Sequence, residues 1–172
     1  VLAGLLPAAA EEAPHGLEPE VEGDFMDMDP SLVEITGDGL TIDRVASVAR
    51  QDSRVELSSN RAVINKISSS RQLLEKKLTD GEVIYGVNTG FGGNVRFLIP
   101  DTDLSFHQTN LLRSLSCGVG QPLPADAVRA AMLLRANALA KGLSGVRREI
   151  IERLVDLLNH RITPVVPRYG SV

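Results

Sequence analysis

The stretch Val128–Lys141 reads VRAAMLLRANALAK, and its reading sets the fold class. Strong helix formers fill it, Pro124 stands where a first helical turn opens, and Gly142 follows where the helix must close. Segments of the same kind flank it. One runs from about Asp103 to Cys117 and ends at Gly118. The other covers about Val146 to His160, sets Ile150, Leu154, Leu157 and Leu158 on one face, and yields to Pro164.

Earlier in the chain, Thr41 is placed to cap a helix through Val45, Val48 and Ala49. Ser58 or Ser59 can cap a longer one, in which Val63, Ile64, Ile67, Leu74 and Leu78 recur at helical spacing before Asp80 and Gly81 mark the end. Between Val33 and Ile42 the pattern VEITGDGLTI predicts a short strand pair around a Gly-Asp-Gly turn. Aromatic residues make up 3% of the chain, so the core is aliphatic. The expected class is mainly α, helices packed on helices with a small irregular or β element. Helices this apolar read as part of a larger bundle.

The net charge of -4 over 172 residues hides an asymmetry. Residues 1–38 hold ten acids and no Lys or Arg, so the remaining twelve acids face all eighteen basic residues. Residues 1–32 are therefore expected to form an acidic, flexible leader and residues 33–172 the folded part. The leader's opening VLAGLLPAAA has the apolar and small residues of an export signal, but no basic segment precedes it, so it is read as a leader and not as a signal. The basic residues are spread over helical faces without interleaved aromatics, which argues against nucleic-acid binding. No apolar run approaches the roughly 20 residues of a membrane span. One cysteine, Cys117, permits no internal disulfide and suits a reducing cytoplasm.

Ahead of the three helices lies Ile84–Val95, IYGVNTGFGGNV. Gly86, Gly90, Gly92 and Gly93 exclude a regular helix or strand, so this is a loop. It lacks the spacing of a dinucleotide site and the Lys-Ser or Lys-Thr of a phosphate loop. GLSGV at Gly142–Val146 fails the nucleophile-elbow pattern and reads as a helix break. His15, His107 and His160 stand apart from each other and from any Cys or carboxylate at ligand spacing, so no metal site is expected. Cys117 is expected as a small buried filler. Tyr85 sits at the foot of the loop, where a phenol can swing over a pocket. A phenol is a weak base at neutral pH, and on these residues alone a packed, hydrogen-bonded tyrosine is the better reading.

Four segments together change that reading: YGVNTGFGG at Tyr85–Gly93, QTNLLRSLSCGVGQPLP at Gln108–Pro124, VRAAMLLRANALAKGLSGVR at Val128–Arg147 and ITPVVPRYGSV at Ile162–Val172. In order and spacing the chain resembles the aromatic and histidine ammonia-lyases and the related 2,3-aminomutases, over about residues 35–172. The resemblance implies the N-terminal part of a large helical-bundle fold carrying a Gly-rich active-site loop. It also implies a methylidene-imidazolone electrophile, made autocatalytically from an Ala-Ser-Gly expected just after Val172, with no external cofactor.

By motif position Tyr85 is the base that removes the β-proton, Gly86 and Asn88 belong to the mobile loop, and Gly92 is the position whose backbone lies near the prosthetic group. Ser114 and Leu115 match the two positions that meet the substrate's ring, and Leu111, one turn earlier, matches another. Relatives acting on histidine or tyrosine often carry His at one of the paired positions. Leu115 offers no hydrogen bond, which points to phenylalanine as substrate, with tyrosine- or histidine-specific members of the family as alternatives. Lyase and aminomutase share the elimination step and are not separated by these residues. The family forms homotetramers whose active sites draw on more than one subunit, and the same is expected here. Outside the family, the remaining alternative is a non-catalytic helical interaction module.

Overall fold

A computed structural model describes residues 32–170. The acidic leader and His15 lie outside the described residues, except that Leu32 opens the first strand. The fold is built on the helix foreseen from the opening stretch, α4 (Ala125–Ala140), which has Pro124 at its N-cap. Its buried face combines Val128, Met132, Leu133, Ala136 and Ala140 with two polar residues, Arg129 and Asn137. Leu133 and Ala136 are wholly inaccessible, and full burial of a Leu side chain contributes about 1.5–3 kcal/mol.

Around α4 pack α1 (Ile42–Arg50), α2 (Arg61–Thr79) and α5 (Arg148–Asn159). Thr41 caps α1 as expected, accepting the Arg44 N–H at 3.3 Å. The cap of α2 is Asn60, not Ser58 or Ser59: its side chain accepts from the Ala62 amide at 2.8 Å, while buried Ser58 accepts from the Asn60 amide at 3.2 Å. Asp80 and Gly81 close α2, with Gly81 at φ +76. On α5 the buried stripe is Ile151, Val155 and Leu158. Ile150 points outward, one position off the face expected from spacing.

The predicted strand pair around Gly37–Gly39 does not form. Instead β1 (Leu32–Ile35) pairs in parallel with β2 (Arg54–Leu57), Val33 opposite Val55, with α1 as the crossover. Thr41 draws Ile42 into the helix, so nothing remains to pair back on β1. Gly37 (φ +102) turns the chain onto α4: its N–H reaches Asn137 Oδ1 at 2.9 Å, and a Cβ there would stand 2.9 Å from the Lys141 backbone. Along the other edge of β2, Asn159 forms paired 2.9 Å bonds to the Val55 N–H and carbonyl, closing an edge that would otherwise be open.

Arg129 is 6% exposed and joins three elements. Its guanidinium donates to the Val48 carbonyl in the last turn of α1 at 2.9 Å and to the Leu158 carbonyl in the last turn of α5 at 3.2 Å. It also pairs with Asp52 at 3.0 Å. Helix ends leave carbonyls without partners and carry partial negative charge, so a buried cation here answers both needs. Asp52 (φ +56) also meets Arg161 at 3.3 Å. At the surface, Arg50 bonds Asp126 at 3.1 Å. That hydrogen bond, then the Ala127 amide, hold the Asp126 carboxyl below its ordinary range. This tie between α1 and α4 is therefore complete above the ordinary carboxylate range and lost only as pH falls through the lowered value.

Replacing Arg129 by Met removes the hub but keeps its apolar stem. It is expected to cost about 2–4 kcal/mol in urea unfolding, because the Val48 carbonyl loses its buried donor while the Leu158 carbonyl and Asp52 are left with their contacts to Arg161. Arg50→Met, at an exposed pair, should leave the unfolding midpoint nearly unchanged. Equal effects of the two substitutions would contradict the hub.

Candidate active site

Beyond Gly81 the chain forms a loop closed by its own stem. The Ile99 N–H donates to the Asn88 carbonyl and the Gly90 N–H to the Phe97 carbonyl, both at 2.9 Å, bridging Thr89 to Leu98. The Asn88 side chain accepts from the Ile84 amide at 2.7 Å and donates to the Glu82 carbonyl at 2.9 Å, fixing the foot of the loop. Thr89 is fully buried although it lies in a loop. Its hydroxyl accepts from the Gly86 amide at 3.1 Å and donates to the Gly90 carbonyl at 2.9 Å. Gly90 has no room for a side chain, since a Cβ would lie 2.5 Å from the Asn94 carbonyl oxygen. At the tip, Gly92–Asn94 makes one 3-10 turn, and the Gly92 amide donates to the Tyr85 hydroxyl at 3.2 Å. The Tyr85 side chain itself stands open, 63% exposed.

The loop leans on α3 (Leu104–Leu115), which follows a 3-10 turn at Asp101–Asp103. Gln108 Nε2 donates to the Gly86 carbonyl at 3.2 Å, and His107 Nε2 lies 3.2 Å from the Thr89 carbonyl. The imidazole also stacks on Phe91, with ring centres 4.6 Å apart and planes 7° from parallel. Helical spacing puts Leu111, then Ser114 and Leu115, on the same stripe as these two residues, about 10 Å along the axis from Gln108 to Leu115. Leu111 is half-buried, and Ser114 and Leu115 are exposed. The Ser114 hydroxyl donates to the Leu111 carbonyl at 2.8 Å, which commits its one proton and leaves lone pairs free to accept.

Where α3 ends, Leu115, Ser116 and Gly118 face Pro167–Gly170 across an open cleft of about 800 Å³. The far wall is set by β3 (Val119–Pro122), which pairs antiparallel with β4 (Pro167–Tyr169). A Cβ on Gly118 would meet Pro167 at 2.8 Å, and Gly120 (φ +91) passes under the Tyr169 ring, so both glycines admit β4 at close range. The chain at Gly170 is thereby held beside Leu115. Among the described residues, no group of His, Cys, Asp and Glu could hold a metal ion.

The family model described as aromatic amino acid lyase matches residues 40–172. The chain belongs to that family. It is 46% identical to the histidine ammonia-lyase of Caldanaerobacter subterraneus subsp. tengcongensis, over 81% of this chain and 27% of the relative. Its structure is similar to the tyrosine aminomutase from Streptomyces globisporus (TM-score 0.76, 39% identity, 81% of this chain and 26% of that one). It is likewise similar to the phenylalanine aminomutase of Pantoea agglomerans (TM-score 0.74, 33% identity, 82% and 27%). The chain thus spans about a quarter of the length of the relatives it matches. Its fold is the N-terminal part of the helical ammonia-lyase fold.

In this chain Tyr85, Gly86, Asn88 and Gly92 lie together in one loop, while Leu111, Ser114 and Leu115 share the stripe of α3 on which that loop rests. His107, Gln108 and Thr89 have no part in the sequence-based site, although His107 and Gln108 sit one turn before Leu111 and helical spacing alone could have found them. Cys117 is exposed, not buried, because α3 stops at Leu115 and nothing among the described residues covers the turn that follows.

Gly90→Ala is expected to open the loop and speed proteolytic cleavage within residues 84–98 several-fold, because its Cβ has no space. Gly93→Ala should leave cleavage unchanged, since nothing lies within 4 Å of a Cβ there and its φ is unstrained. Matching cleavage rates in the two variants would contradict the packing described for the tip.

Proposed function

We propose that the protein carrying this chain eliminates ammonia from an aromatic L-amino acid, or moves that amine between adjacent carbons. The observation that carries the reading is the union, in a chain of the lyase family, of a loop phenol with a helix stripe bearing three candidate ring contacts. In this scheme the Tyr85 oxygen takes the β-proton as the C–N bond breaks. A C–H beside an aromatic ring is a poor acid, so alignment and exclusion of water must supply much of the rate. The base in this scheme is the phenolate, its proton passed to water before the site closes, and the Gly92 N–H aimed at its oxygen is then a charge-assisted donor.

The family's methylidene-imidazolone, when present, supplies an electrophile that makes the amine a good leaving group. Its precursor Ala-Ser-Gly is expected just after Val172. The fold suits that placement, since β4 brings Gly170 to the open cleft beside Leu115, and two further residues reach at most about 7 Å. Assembly as a homotetramer with shared sites is part of the proposal. So is a cytoplasmic location, for which the single exposed thiol is the support.

Histidine is the first reading of the substrate. The Caldanaerobacter relative and others 43–45% identical are histidine ammonia-lyases, and Ser114 presents an acceptor that an imidazole N–H can use. Phenylalanine is the second reading, carried by Leu115, which gives a polar ring no partner. Burying an unpaired polar group there would cost about 1–3 kcal/mol.

Chromatography of full-length protein supplied with each amino acid is expected to show urocanate from histidine forming fastest, and Ser114→Ala should lower kcat/KM for histidine about 10-fold. Faster cinnamate or β-phenylalanine would reverse the two readings, and the absence of these and of the corresponding histidine and tyrosine products would overturn the proposal. Tyr85→Phe, with the fold intact, should lower turnover by about 100-fold or more. Near-normal turnover would remove Tyr85 from the role of base.

A further inference from the structure

The phenol's own hydrogen bond is to the loop, not to the core, so its placement depends on whatever anchors the loop. Two adjacent residues of α3 do this by different means. Gln108 bonds the Gly86 carbonyl, next to Tyr85, at 3.2 Å, while His107 reaches the Thr89 carbonyl at 3.2 Å and carries Phe91 on the face of its ring. Thr89 links the two anchors, because its hydroxyl accepts the Gly86 N–H that lies beside the Gln108 contact. Leu111, Ser114 and Leu115 follow on the same stripe of the same helix.

We propose that His107 and Gln108 are positioning residues that latch the Tyr85 loop to α3, so that one rigid helix sets both the phenol's position and the surface that meets the substrate's ring. The inference rests on the reading of Tyr85 as base, and goes beyond it by assigning a role to two residues that touch neither substrate nor reacting atoms. An offset of about 1 Å between base and proton is enough to lower turnover about 100-fold, so a loosened latch would act on kcat while the ring contacts, and with them KM, stay in place. The stack and the carbonyl bond are separable. His107→Gln keeps a donor near the Thr89 carbonyl but loses the ring, and Phe91→Leu removes the stack from the other side.

The test combines hydrogen exchange by mass spectrometry with steady-state kinetics on the full-length protein. His107→Leu and Gln108→Leu should speed exchange in residues 84–98 several-fold, leave α4 unchanged, and lower kcat about 10- to 100-fold with KM within about threefold. His107→Gln should recover part of the loss. Phe91→Leu combined with His107→Leu should be no worse than His107→Leu alone, since both break the same contact. Unchanged exchange in the loop would overturn the latch whatever the rates. Faster exchange with undiminished kcat would overturn the positioning role, and Tyr85→Phe then tells the two readings apart: an inactive variant leaves the base in place without its latch, an active one removes the base as well.

Discussion

One buried guanidinium sets the geometry on which the rest depends. Arg129, in the second turn of α4, holds carbonyls in the last turns of α1 and α5, with Asp52 completing the charge balance. Two turns further along α4, Asn137 holds the Gly37 amide where β1 leaves the sheet. These anchors are eight residues, about 12 Å, apart on one face. Between them Met132, Leu133 and Ala136 supply the apolar contact. Burial alone would let helices slide, whereas directional bonds at both ends of the face fix which turn meets which carbonyl.

From that frame the site follows at each end of α4. Beyond its C-terminus, Gly142 passes so near α2 that a Cβ would stand 2.6 Å from the Lys66 backbone, and the Gly145 amide bonds Ser70 at 3.0 Å. This seats α2, whose end delivers the Tyr85 loop. Ahead of its N-terminus, Leu123 donates to the Val166 carbonyl at 2.8 Å and leads into β3, which holds β4 beside the end of α3. The loop and α3 make little use of the apolar core: no residue of α3 is buried, and on the loop only Thr89 and Gly90 are. They are joined by hydrogen bonds and one ring stack, and segments with few buried apolar contacts open at lower free-energy cost than the core does.

The helices were legible because their signals are local. Thr41, Asp80, Gly81 and Gly142 act on the backbone beside them, and the repeat of Val63, Ile67 and Leu74 needs no partner to be seen. Pairing was not legible. Leu40–Ile42 looked like a strand from its apolar residues, but Thr41 capped a helix there, and the true partner of β1 lies beyond α1. Likewise β3 and β4 carry no strand signal of their own, since Gly120, Pro122 and Pro167 fill much of them, and only their mutual approach makes them strands. Arg129 and Asn137 looked like ordinary polar positions on a helix, since nothing local says that a guanidinium will meet two distant carbonyls. Of the site, Tyr85, Gly92 and the Leu111–Leu115 stripe came from family resemblance. The residues alone left Tyr85 a hydrogen-bonded phenol, and the Gly92 contact is consistent with both descriptions.

The proposed chemistry needs a phenol held by this loop beside an electrophile made from the protein's own backbone, close to where β4 ends. The intact mass of the full-length protein tests this most directly. The expected mass lies below that of the translated sequence by two waters, with the deficit confined to the peptide that follows Tyr169. An intact mass equal to the translated sequence, in protein that turns over an aromatic amino acid, would contradict it.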